Sequence, residues 1–159
     1  LIIQVAGRAG RAGDPGRVII QSQLADHPLL VQLSEQGYFA FAEQALSERR
    51  ATSLPPFSHL ALLRADALKA ELADIFLEDA YSIAEQLLEQ LGIEGVELLG
   101  PVTSPMERRA GRYRAQLLIQ STSRAPLHRL LTPLCSNLEN LPSARQSRWS
   151  MDVDPIDLF

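Results

Sequence analysis

The sequence predicts an α+β chain in two parts. Two observations carry that expectation. The periodic segments after residue 58 read β-α-β-β-α-β, the order of a split βαβ, ferredoxin-like domain with two helices on one face of an antiparallel sheet. Before them, "SLPPFSH" sets Pro55 beside Pro56, and consecutive prolines neither continue a helix nor leave the preceding residue helical. The junction is therefore placed at residues 53–58, between an opening part, 1–52, and a second domain, 59–159.

Each element has its own signal. In the opening part, "GRVIIQS" (16–22) follows the Asp14-Pro15-Gly16 turn with a β-branched core and predicts a short strand. Leu29, Leu30 and Leu33, then Phe39, Phe41, Ala42 and Leu46, fall at helical spacing on either side of Gly37 and predict two helices. Beyond the junction "HLALLRAD" predicts a strand. Leu72, Phe76, Ala80, Ile83, Leu87 and Leu91 step by three and four, a helix stopped at Gly92. "VELLGPV" predicts a second strand, and "YRAQLLIQS" a third, in which Tyr113, Ala115, Leu117 and Ile119 alternate with Arg112, Arg114, Gln116 and Gln120. A stripe of Leu127, Leu130, Leu131, Leu134, Leu138 and Leu141 predicts the next helix, kinked or split at Pro133. "RWSMDVDP" closes the pattern as an alternating strand.

Composition narrows the function classes. The 159 residues are 46% hydrophobic and 21% charged, an ordinary globular balance without the ~18 uninterrupted apolar residues of a membrane span. "LIIQVAG" lacks the basic start and apolar core of a secretory signal, and a chain opening on Leu1 is expected to be cut from a longer one. One cysteine, Cys135, excludes an internal disulfide and a cysteine-rich zinc site. The net charge of −4 argues against a uniformly basic nucleic-acid binder, but the charge is segregated. Nine acidic residues from Asp66 to Glu97 face only Lys69, whereas eight arginines from Pro101 to Arg148 face only Glu107 and Glu139. A local basic patch attracts a polyanion even on an acidic molecule.

"QVAGRAGRAGDPG" at the start holds glycine at every third position. The tract is too short for collagen and contains neither G-x-G-x-x-G nor G-x-x-x-x-G-K-[ST]. It reads either as a flexible turn with solvated arginines or as a built pair. In a helical turn Arg8 and Arg11 share one face, with Gln4 one turn earlier and glycines such as Gly7 allowing close approach. Two planar, permanently charged donors on one face suit a triphosphate, the role of an arginine finger.

Here the residues resemble a known family. "QVAGRAGR" is similar to the Q-x-x-G-R-x-G-R motif that closes the second RecA-like lobe of superfamily 2 helicases. The wider stretch "QVAGRAGRAGDPGRVIIQS", then "FAEQALSERRA", "LPPF", "RRAGRYRAQLLIQ" and "RWSMDVDP", resembles the primosomal protein N-prime family of replication-restart helicases, in order over nearly the whole chain. The resemblance implies that residues 1–52 finish a RecA-like lobe and that 59–159 form the family's C-terminal domain. It implies an ATP-dependent 3′–5′ DNA helicase, cytoplasmic and nucleoid-associated in bacteria, that recognises stalled or branched forks and restarts replication by primosome assembly. Arg8 and Arg11 would stabilise the ATP γ-phosphate, with Gln4 and Gly7 at the same nucleotide site. The phosphate loop, the magnesium-binding acid and the zinc-binding cysteines of the family would lie upstream, so this fragment alone is expected to be inactive as an ATPase. The alternative from another class is a non-enzymatic nucleic-acid-binding module of split βαβ type.

"MERRAGRYRAQ" sets Arg108, Arg109, Arg112 and Arg114 around Gly111, a pattern that grips phosphates without reading sequence. The plainer reading is a solvated hairpin whose arginines balance the acidic helix 71–89, with Tyr113 in the core. The resemblance implies branched and single-stranded DNA as partners of this stretch. It also implies that Arg124, with His128 one turn on where the family has glutamine, docks the acidic C-terminal tail of the single-stranded-DNA-binding protein. Other primosome proteins are implied as partners, and no membrane. His27, His59 and His128 are too scattered for a metal site, and Asp152, Asp154 and Asp157 read as an acidic solvated end, so no metal is expected in these residues.

Overall fold

The structure, a computed structural model, describes residues 17–158. The chain divides into two compact units, Leu1–Thr52 and Ser53–Phe159.

In the first unit, helix α1 (Pro28–Ala51) starts on a proline, whose missing N–H is no loss in a first turn. Leu30 and Val31 N–H close onto the His27 carbonyl at 2.8 and 3.1 Å. Gly37, at φ 79° and ψ −172°, breaks the helix into the two expected segments. The expected strand at 16–22 does not form over its described part: residues 17–22 pair with no strand among the described residues. β-Branched residues favour an extended path, but a strand needs a neighbour to take its backbone hydrogen bonds. The apolar stripe is likewise only partly covered, with Phe39 87% exposed.

The second unit holds β1 (His59–Ala67), α2 (Ala70–Gln90), β2 (Val96–Arg109), β3 (Arg112–Ser121), α3 (Arg124–Glu139), a 3-10 turn (Ser143–Arg145) and β4 (Arg148–Val153). The sheet runs β2-β3-β1-β4 with every adjacent pair antiparallel. β1 and β2 thus run parallel with β3 inserted between them, the split βαβ arrangement compatible with a ferredoxin-like domain.

One face of the sheet is packed by the helices. Ala61, Leu63, Ala65 and Ala67 of β1 and Ala115, Leu117 and Ile119 of β3 meet Phe76, Leu77, Ala80 and Ala84 of α2 and the Leu127, Leu130, Leu134 and Leu138 stripe of α3. Removing each large side chain of this set from water contributes about 1.5–3 kcal/mol. Trp149 and Met151 of β4 extend the layer, with the Trp149 ring stacked on Phe76 at 5.9 Å. α2 ends as expected: Leu91 and Gly92 N–H turn back to the Leu87 and Glu89 carbonyls.

α3 departs from expectation, since it passes through Pro133 as one continuous helix. The proline removes the hydrogen bond to the carbonyl of Arg129, but that residue is exposed, so water can satisfy the carbonyl. Five buried leucines hold the helix on both sides of the defect.

β2 runs well past the expected "VELLGPV". Its register with β3 shifts between Leu99 and Val102 and again between Thr103 and Arg108, and these irregularities admit Pro101 and Pro105 to an edge strand. Gly100 is required at the first: at φ +117°, a Cβ there would lie 3.1 Å from the Gln116 carbonyl oxygen. The hairpin closes on Ala110 and Gly111, both at positive φ (50° and 79°), the two-residue turn that matches strand twist.

The other face of the sheet carries Leu60 and Leu62, both buried, then Arg64 and Asp66. The turn at Ser53 and the residues after β4 are tied to it. The Ser53 carbonyl accepts from Gln120 Nε2, and the carbonyls of Asp157 and Leu158 accept from Arg64 Nη2 at 3.0 Å and Gln116 Nε2 at 3.3 Å.

Candidate nucleic-acid interface

Strand alternation gathers charge on the face turned away from the helices. Asp66 of β1 pairs in register with Arg114 of β3 on one side and Arg148 of β4 on the other. Arg109 and Arg112 face each other across the hairpin on the same side. Together with Arg64 they line an open cleft of about 460 Å³. Five guanidinium groups and one carboxylate therefore share one concave wall.

The arginines are not equivalent. Arg64 is half-buried and committed, its Nη1 donating to Asp152 Oδ2 at 2.8 Å and its Nη2 lying 3.6 Å from an Asp157 carboxylate oxygen. Arg112 is committed to Asp66, through Nε to the carboxylate and through Nη2 to the main-chain oxygen at 3.2 Å. For Arg109, Arg114 and Arg148 no ion pair or hydrogen bond is made to another described side chain. Three charged donors thus keep their hydrogen-bonding capacity for something outside the fold.

Of the four hairpin arginines expected to act together, three line the cleft. Arg108 is separated from them. It pairs in register with Tyr113 and its guanidinium sits 5.1 Å from the Tyr113 ring centre, on the opposite face of the hairpin. Tyr113 is half-buried beneath that cation rather than part of the core cluster, so its apolar phase misread its surroundings. Nor do the hairpin arginines balance the acidic helix: among the described residues Arg112 alone of the four makes an ion pair, to Asp66 of β1 and not to α2.

Arg64 and Arg148 are the members that sequence reasoning missed. Both lie on strands that were expected, but Arg64 reaches the hairpin only through the pairing of β1 with β3, and Arg148 only through the further pairing of β4 with β1.

Arg124 and His128 lie one turn apart at the start of α3, both exposed, and Arg124 Nη2 is 3.1 Å from Asp154 Oδ2. Gln4, Gly7, Arg8 and Arg11 lie outside the described residues. Among the described residues no three His, Cys, Asp or Glu side chains converge as metal ligands, and no helix is long and apolar enough to cross a membrane.

The model of the primosomal protein N C-terminal domain matches residues 50–156. The chain is 42% identical to the replication restart protein PriA of Haemophilus influenzae over 158 residues, 99% of this chain and 21% of that protein. It is 33% identical to the PriA of Synechocystis over 157 residues, 99% of this chain and 18% of the relative. The PriA of Bacillus subtilis matches at 31% over 155 residues, 98% of this chain and 19% of the relative. The chain spans about a fifth of the length of these relatives. With a family model covering most of the chain and the whole second-unit sheet, the chain belongs to the family of the primosomal protein N C-terminal domain.

Proposed function

We propose that this chain is the C-terminal part of an ATP-dependent 3′–5′ DNA helicase of replication restart, and that its arginine-lined sheet face holds DNA by the phosphates. The observation that carries the DNA reading is the convergence of Arg109, Arg114 and Arg148, unpaired among the described residues, in one cleft. A concave cationic surface focuses field on a polyanion and positions it without reading bases. This suits a protein that must accept forks of any sequence.

The remaining assignments rest on the motifs. Residues 1–52 finish a RecA-like lobe, in which Arg8 and Arg11 stabilise charge on the γ-phosphate of ATP, with Gln4 and Gly7 lining the same site. No phosphate-loop sequence occurs in the 159 residues, so magnesium and most nucleotide contacts belong to an upstream lobe, as do the zinc sites. Residues 1–159 alone hydrolyse no ATP. Arg124 and His128 form an exposed docking point for the acidic tail of the single-stranded-DNA-binding protein.

Titration of forked DNA with the chain over a range of salt tests the DNA reading. Affinity falls as salt rises, and removing Arg109 and Arg114 together lowers the slope of log affinity against log salt by about 2. A salt-independent affinity, or a slope unchanged in that double variant, would overturn it.

A further inference from the structure

We infer that the cleft contains one discrete phosphate subsite, shared by Arg114 and Arg148 across β1, and that Arg148 of β4 belongs to the interface as much as the hairpin does. The inference rests on the DNA reading above and extends it to a strand that the hairpin motif does not contain.

The sheet geometry supports it. Adjacent strands lie about 4.8 Å apart, so Arg114 and Arg148, each in register with Asp66, start roughly 10 Å apart on either side of it. Each side chain is long enough for the two guanidinium groups to meet over the middle strand. There they would ordinarily be neutralised by the Asp66 carboxylate, but Arg112 already occupies it through Nε, with a second bond from Nη2 to the main-chain oxygen. Arg109 approaches from the hairpin end of the same cleft. Arg64 is held in turn by Asp152 and Asp157, which leaves Arg109, Arg114 and Arg148 as like charges in one concavity with no paired carboxylate among the described residues, an arrangement that costs stability through mutual repulsion. A bound oxyanion removes the cost. The planar fork of arginine bridges two oxygens of one phosphate, and the volume, about 460 Å³, admits a phosphate with its attached sugar.

The structural alternative is that Arg148 merely solvates an edge strand. It predicts no change in binding on its removal. Because Arg148 is exposed and lacks an ion pair among the described residues, the substitution leaves the fold intact, and a loss of binding cannot be attributed to unfolding. The phosphate can be an internal diester or a terminal monoester; the chemistry of recognition is the same.

The experiment measures binding of the chain and of its Arg148→Ala, Arg114→Ala and combined variants to one single-stranded oligonucleotide, carrying either a 5′-hydroxyl or a 5′-phosphate. Arg148→Ala weakens binding by about tenfold, the worth of a charged hydrogen-bonded contact, with the thermal midpoint unchanged or raised. Loss on both oligonucleotides identifies an internal phosphate; loss confined to the phosphorylated one identifies a terminal phosphate. The combined variant loses less than the product of the single losses, because two arginines on one phosphate are coupled. Strict additivity overturns the shared subsite. Unchanged binding of Arg148→Ala, while removal of Arg109 and Arg114 still weakens it, overturns the inference and leaves the hairpin interface standing. No effect from any of these variants overturns both.

Discussion

The two faces of the β2-β3-β1-β4 sheet are built from alternate residues of the same strands, yet they solve opposite problems. On the helix side Ala65, Ala115 and Leu117 are fully enclosed and no charged side chain enters the core cluster. On the other side, one residue along, Arg64, Asp66, Arg114 and Arg148 stand in a cleft open to water. One face yields its stability by excluding solvent; the other keeps charges that only solvent or a ligand can satisfy. A single substitution should therefore move either folding or binding, according to which side of the pleat it falls on.

The largest effect belongs to the core. Phe76 is fully buried and stacked on Trp149, so Phe76→Ala costs the second unit about 3–5 kcal/mol and lowers its midpoint by roughly 10 °C or more. Chemical denaturation followed by Trp149 fluorescence measures it; a loss under about 1 kcal/mol would mean that the helix layer does not hold the sheet.

Next comes the open face, with the opposite signature. Removing Arg109 and Arg114 together weakens DNA binding tenfold or more, about 1.4 kcal/mol, while stability moves by no more than about 0.5 kcal/mol. If the same double variant melted as early as Phe76→Ala, these arginines would be structural and the contrast between faces would fail.

Asp66 tests the balance inside the cleft. Its carboxylate is the one that Arg112 holds, so Asp66→Asn adds a fourth unpaired guanidinium to Arg109, Arg114 and Arg148 and deletes the one negative charge among the described cleft-lining residues. DNA affinity should rise a fewfold through the stronger local field. Stability should fall by less than about 1 kcal/mol, because the pair is partly exposed and screened. Weaker binding in this variant would show that Asp66 positions Arg112 on the ligand rather than restraining it.

The legibility of the molecule in its sequence follows the same division. β1, α2, β3 and β4 were readable because burial imposes a period, and Leu117 or Phe76 declares its face without reference to any other segment. The second half of β2 was not: Pro101, Pro105 and the charged run to Arg109 carry no alternation, and the strand exists through its pairing with β3. The strand expected from Val18, Ile19 and Ile20 erred the other way, with propensity present and no described partner to pair with. Of the candidate site, the hairpin arginines were visible as a local cluster. Arg64 and Arg148 were not, because their nearness to the cluster is a property of strand order. Arg108, adjacent in sequence, was assigned with the cluster although the pleat sends it to the other face.

The smallest predicted effect contrasts how the two sides treat charge. Cys135, on α3, is half-buried; burial first, and the Glu139 carboxylate second, push its thiol above the ordinary range. Both causes disfavour the thiolate, whereas the opposite face gathers its arginines in a cleft open to water. A thiol whose folded pKa is raised leaves stability intact below the ordinary thiol range and erodes it as pH rises through that range toward the folded value. The reactive species is the thiolate, so Cys135 in the folded chain should react with a neutral disulfide reagent more slowly than in the denatured chain at pH 8. Glu139→Gln, removing the lesser cause, should recover only a small part of the rate. Equal rates in folded and denatured chain would show that α3 does not bury the thiol, while full recovery in Glu139→Gln would make the neighbouring charge, not the helix packing, the main restraint.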